Sequence, residues 1–99
     1  MTWDDEQRGK QSLCEAAHRI ARELGCVLER HMRTPAAERC LWDHDTGRWR
    51  LGLKIAGTGF VVVDFDADLV RRCGEGDAAA QKEGELQLRF KLEELCGKR

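Results

Sequence analysis

The sequence predicts an α+β domain: a long N-terminal helix packed on a three- to four-stranded antiparallel meander, with a C-terminal strand or helix. Three observations lead there. Trp49, Leu51, Leu53 and Ile55 fall on alternate residues, with Arg48, Arg50, Gly52 and Lys54 between them. Strand side chains alternate between faces, so this segment is apolar on one face and basic on the other. Asp45-Thr46-Gly47 and Gly57-Thr58-Gly59 flank it with the residues that tight hairpins require. The apolar face needs a cover, and the long apolar stripe nearby lies in residues 12–32.

That stripe is helical. Leu13, Ala17, Ile20, Leu24, Val27 and His31 recur at spacings of three and four, with Leu28 and Met32 alongside. Thr2 followed by Asp4, Asp5 and Glu6 suits a helix N-terminus. Ser12 with Glu15 forms a capping box and is the preferred start, because Gly9 weakens a helix running through it. Residues 1–11 then read as a flexible arm. A left-handed cap at Gly25 would leave CVLERHMR as an extra strand. The spacing favours continuation to about Arg33, where Pro35 sets the limit at Thr34. A short turn can follow over Thr34, Pro35 and Glu38 before the sheet.

RCLWDHD, RWRLGLKIA and FVVVDFD are the three strands, adjacent because both connections are short. Trp42 sits opposite Trp49 across the first hairpin, so the two rings are expected to meet. Asp66 is positioned to cap a short helix containing Leu69 and Val70, with Gly74 as its stop. Residues 85–91 alternate Leu86, Leu88 and Phe90 with polar residues, which favours a fourth strand. Against this, almost all are good helix formers and none is β-branched. As a helix the segment would place Leu86 and Phe90 opposite Leu88 and Leu92, and it would need burial on two faces.

The 99 residues form a single domain, 41% hydrophobic and 35% charged, with a net charge of −1. This balance gives enough apolar material for one core and no global attraction to nucleic acid or acidic lipid. No run is long enough to span a membrane, and MTWDDEQRGK is acidic where a secretion signal is basic. The five cysteines are scattered, without a C-x-x-C pair, and read as small buried hydrophobes of a cytoplasmic protein.

Several residue sets bear on chemistry. VVVDFDAD ends an apolar strand in two carboxylates, Asp64 and Asp66, which point to one side. Asp43 and Asp45 lie at the same end of the meander, so the four acids can converge on a hard cation such as Mg²⁺. That is the alternative reading of a metal-dependent phosphoryl-transfer enzyme. Asp64, Asp66, Asp68 and Glu75 also echo a calcium loop, but Leu69 stands where the loop needs glycine. Cys14 with His18, and Cys40 with His44, share a spacing that a split zinc site would use. Arg48, Arg50 and Lys54 form a cationic strand face able to contact phosphates, the basis of a nucleic-acid-binding alternative, or else a solvated outer face or one that pairs with Asp43, Asp45 and Glu38 across strands. With one C-terminal helix the element order is similar to that of double-stranded RNA-binding domains. Their basic cluster is replaced here by DAAAQKEG, whose one cation is Lys82.

No nucleophile–base set, dinucleotide fingerprint or phosphate loop stands out, so no catalytic residue and no cofactor is assigned. A small sheet with one covering helix leaves a second face and its edges exposed. The expectation is therefore a non-catalytic protein-binding or regulatory module, a homodimer or a partner of another protein. Arg48, Arg50, Lys54 and Trp3 are its candidate interaction residues.

Overall fold

A computed structural model describes residues 2–28, 40–55, 57 and 59–96 of the chain. The elements run α1 (Thr2–Glu23), β1 (Cys40–Asp43), β2 (Arg48–Ile55), β3 (Gly59–Asp66), α2 (Ala67–Gly74) and α3 (Ala78–Cys96). The strands form one antiparallel sheet in the order β1-β2-β3, so the expected meander is present with three strands. Trp42 pairs with Trp49, and Trp49 with Phe65, which fixes the alternation across all three strands. One face carries Leu51, Leu53, Ile55, Val63 and Phe65, all buried in the core with Leu13, Ala17 and Ile20 of α1.

The start of α1 differs from expectation. Residues 2–11, expected as an arm, form its first turns, with Asp4 and Asp5 near the positive end of the dipole. Gly9 is tolerated because α2 crosses there. A Cβ on Gly9 would overlap the Val70 carbonyl, with the carbonyl carbon 2.8 Å away. A Cβ on Gly74 would likewise overlap Asp5, with its Cα 2.9 Å away. The two glycines let α1 and α2 touch backbone to backbone in antiparallel sense.

The other end of α1 also differs. The helix stops at Glu23 instead of continuing toward Arg33. Gly25 adopts φ 83°, the Cys26 N–H bonds the Ala21 carbonyl at 2.8 Å, and the Gly25 N–H bonds the Arg22 carbonyl at 3.1 Å. This pair of bonds is a Schellman cap, and glycine supplies the left-handed residue it needs. The chain then turns so that Leu28 bridges Ile55 at the end of β2. His31, Met32 and the turn expected over Thr34, Pro35 and Glu38 lie outside the described residues.

α2 ends at Gly74 as expected, although Gly74 is not the left-handed residue of its cap. Gly76, at φ 87°, is the left-handed residue, with the Asp77 N–H on the Arg72 carbonyl at 3.0 Å and the Gly76 N–H on the Cys73 carbonyl at 3.2 Å. Gly74 instead makes room for Asp5. Asp77 then opens α3: its Oδ1 accepts N–H groups from Ala79 at 3.0 Å and Ala80 at 3.3 Å.

The strand favoured for residues 85–91 is absent, because α3 is one helix through this segment. Helix propensity outweighs the two-residue alternation. Gly84, Leu88 and Leu92 form its buried stripe, while Leu86 and Phe90 face outward, 60% and 65% exposed. α3 runs parallel to α1, and Arg89 donates to Glu23 at 2.6 Å between them. A Cys26–Cys96 disulfide joins their C-terminal ends, with Cα atoms 5.9 Å apart. The cysteines are therefore not all simple buried hydrophobes; among the described residues Cys14 and Cys73 are the buried thiols. Scattered sequence positions hid a pair that α1 and α3 bring together.

Candidate interaction surface

The outer face of the sheet is built by the residues between the buried ones. Arg48, Arg50, Gly52 and Lys54 of β2 lie between Leu41 and Asp43 of β1 and Phe60, Val62, Asp64 and Asp66 of β3. Leu41 and Phe60 are 66% and 63% exposed. The Phe60 ring lies across Gly52, where a Cβ would meet its Cζ at 2.8 Å. A shallow concavity here includes Leu41, Trp42, Phe60 and Val62. A second one lies between β3 and α3, lined by Val62, Leu86, Phe90, Arg48, Asp64 and Lys91. Val62 belongs to both, so the apolar ground continues from β1 to α3.

The predicted acidic and basic residues do come together, and they pair with each other. Arg50 lies 3.2 Å from Asp64 and 3.6 Å from Asp43. Arg48 lies 3.2 Å from Asp66 and also donates to the Asp64 carbonyl at 3.2 Å. Asp66 occupies the N-cap position of α2 without a side-chain cap bond, because its carboxylate is turned to Arg48. Asp45 sits in the first hairpin, and its N–H donates to Asp43 Oδ1 at 3.0 Å. That bond is the main cause holding the Asp43 carboxyl below its ordinary value, with help from Thr46 and Arg50. An arginine thus stands between the carboxylates that would share a cation. Among the described residues no three His, Cys, Asp or Glu side chains are grouped to hold a metal.

The remaining sets are dispersed. Asp68 is held low first by its hydrogen bond from Arg71, and Glu75 pairs with Arg71 at 2.6 Å, so of the calcium-loop residues these two serve α2 while Asp64 and Asp66 serve the sheet. His44 is exposed at the hairpin, and the Cys40 side chain lies outside the described residues. Cys14 is fully buried and His18 half-buried on α1. Burial pushes the Cys73 thiol up to about 11, which leaves it protonated and unreactive at neutral pH. Lys54 is exposed on the outer face. Trp3 lies in the first turn of α1, with its side chain outside the described residues.

Sequence reasoning did not single out Leu41 and Phe60 of the outer face, nor Lys10. Lys10 is only 6% exposed, and its Nζ sits 4.0 Å from the centre of the Trp49 ring. The Trp49 ring also meets Trp42 edge-on, with centroids 5.2 Å apart. Lys10 precedes Leu13, Ala17 and Ile20 on the same helical stripe, and that spacing was the available signal. A lysine stem can lie along apolar surface while its charge faces an aromatic ring.

Among the described residues no helix is long and apolar enough to cross a membrane. No protein-family model, curated protein or solved structure matches the chain.

Proposed function

We propose that this chain is a non-catalytic protein-binding or regulatory module that works as a homodimer. The observation that carries the reading is the outer sheet face, which no described element covers and where Leu41 and Phe60 stand exposed around a paired charge ladder. Exposed apolar residues rimmed by polar ones mark association surfaces. The ladder supports a second copy as the occupant: on the outer face Arg48, Arg50 and Lys54 balance Asp43, Asp64 and Asp66, so a two-fold related face can meet it without a net like-charge clash.

The same pairing weighs against the two alternatives. A metal-dependent phosphoryl-transfer site needs carboxylates turned to a cation, and Asp43, Asp64 and Asp66 are turned to arginines. A phosphate-binding face needs available guanidinium groups, and those of Arg48 and Arg50 are already engaged by carboxylates. Sedimentation of the wild type at high micromolar concentration tests the reading. A dimer is expected, and Leu41→Glu with Phe60→Glu should convert it to a monomer. A monomeric wild type, or a dimer indifferent to both substitutions, would overturn the homodimer.

A further inference from the structure

We infer that the channel between β3 and α3 binds an extended segment of a partner protein, which adds to the outer edge of β3 as a fourth strand. The inference rests on the protein-binding reading and names the class of partner. β3 is an edge strand of eight residues whose sheet neighbour is β2. Alternate residues of such a strand turn their N–H and C=O groups away from the sheet. Among the described residues no backbone–backbone hydrogen bond links β3 to anything beyond the sheet. An extended chain is the occupant whose chemistry answers that row.

The far wall of the channel fits the same occupant. Leu86 and Phe90 are four residues apart on α3, so they share a face about 6 Å apart along the axis. Same-face side chains of an extended strand repeat every ~6.8 Å, close to that spacing. Two successive apolar side chains of the segment would lie against Leu86 and Phe90, with Val62 on the floor.

Charge sets the remaining preference. Lys91 lines the channel and makes no ion pair among the described residues, whereas Arg48 beside it is turned to Asp66. The acid that lines the channel, Asp64, is held by Arg50. The segment expected is one in which acidic residues alternate with Val, Ile, Leu or Phe.

A random twelve-residue peptide library displayed on phage, panned on the full chain, tests this. Enrichment of alternating apolar–acidic sequences is expected. A consensus peptide read by fluorescence anisotropy should bind roughly tenfold more weakly to Phe90→Glu and to Lys91→Glu. N-methylation of alternate backbone amides in the peptide should abolish binding, because strand addition uses those N–H groups. Both substitutions are on the solvent side of α3, and circular dichroism checks that each variant is folded. Absence of enrichment, equal binding to Phe90→Glu, or indifference to N-methylation would overturn the inference. Conversion of a wild-type dimer to monomer by Phe90→Glu would also overturn it, by making a second copy the occupant. A monomeric wild type that still selects and binds such peptides would sink the homodimer while leaving the channel assigned.

Discussion

Replacing Gly9 with alanine should destabilise the fold, although the same change in most helices does the opposite. Within a helix, Gly→Ala contributes about 1 kcal/mol of stability by restricting the unfolded chain. Here the new methyl would overlap the Val70 carbonyl, 2.8 Å from its carbon and 3.1 Å from Val70 Cγ1. Ordinary carbon–carbon contact begins near ~3.5 Å. The obstacle is backbone, so no side-chain rotation relieves it and the two helices must separate. Overpacking costs about 1–3 kcal/mol, and a backbone collision belongs at the upper end. The net loss is then about 2 kcal/mol, which lowers Tm by roughly 8–16 °C for a chain of this size. Gly74→Ala meets Asp5 in the same crossing and should behave alike. The double variant should cost less than the sum, because the first methyl already parts the helices. Gly84→Ala is the control: its Cβ would meet the flexible end of Leu13, Cδ2 at 2.5 Å, which can swing away. Thermal unfolding followed by circular dichroism reads all four. A Gly9→Ala protein as stable as wild type would refute the backbone contact.

Three further outcomes are expected. Cys26→Ser, or a thiol reductant, should lower stability by up to about 4 kcal/mol, the chain-entropy value for a loop closed across a separation of 70 residues; an unchanged Tm on reduction would contradict the cross-link. Asp43, Asp68 and Asp77 all have folded-state values below the ordinary 3.8, so their contribution is present above that value and is lost as pH falls through the lower ones. The urea midpoint should therefore fall between pH 5 and pH 3, by less in Asp77→Asn; a midpoint that rises on acidification would reverse the sign. Lys10→Met keeps the stem packing but removes the charge over Trp49, and should cost about 0.5–2 kcal/mol with a change in tryptophan emission; a more stable variant would show that burying the charge costs more than the ring returns.

The sheet was legible because its signals are local and agree. Alternation in residues 48–55 and glycine at both hairpins specify the same register, and the structure has it. The helix boundaries were less legible because glycine has two uses. Gly9 and Gly74 read as a breaker and a stop, yet both serve a crossing between segments distant in sequence. Gly25 and Gly76 provide the actual left-handed stops. Residues 85–91 carried contradictory local signals, and packing of Leu88 and Leu92 against the core decides for helix. At the candidate surface, cross-strand ion pairing was legible as one use for the arginines, with Asp43 among the expected partners, but Asp64 and Asp66 read as cation ligands instead. Arg50 reaches Asp43 diagonally on β1, but it stands directly opposite Asp64 on β3, as Arg48 does opposite Asp66.

The Cys26–Cys96 bond gives the molecule an uneven covalent topology. Everything from Cys26 to Cys96, hence the entire sheet together with α2 and α3, becomes a closed ring. α1 lies outside that ring. It nonetheless brings Leu13, Ala17 and Ile20 to the common interior and is held there by non-covalent contacts. In the oxidised protein, the first cooperative unit to come away should be α1, leaving a looped remnant that cannot fully extend.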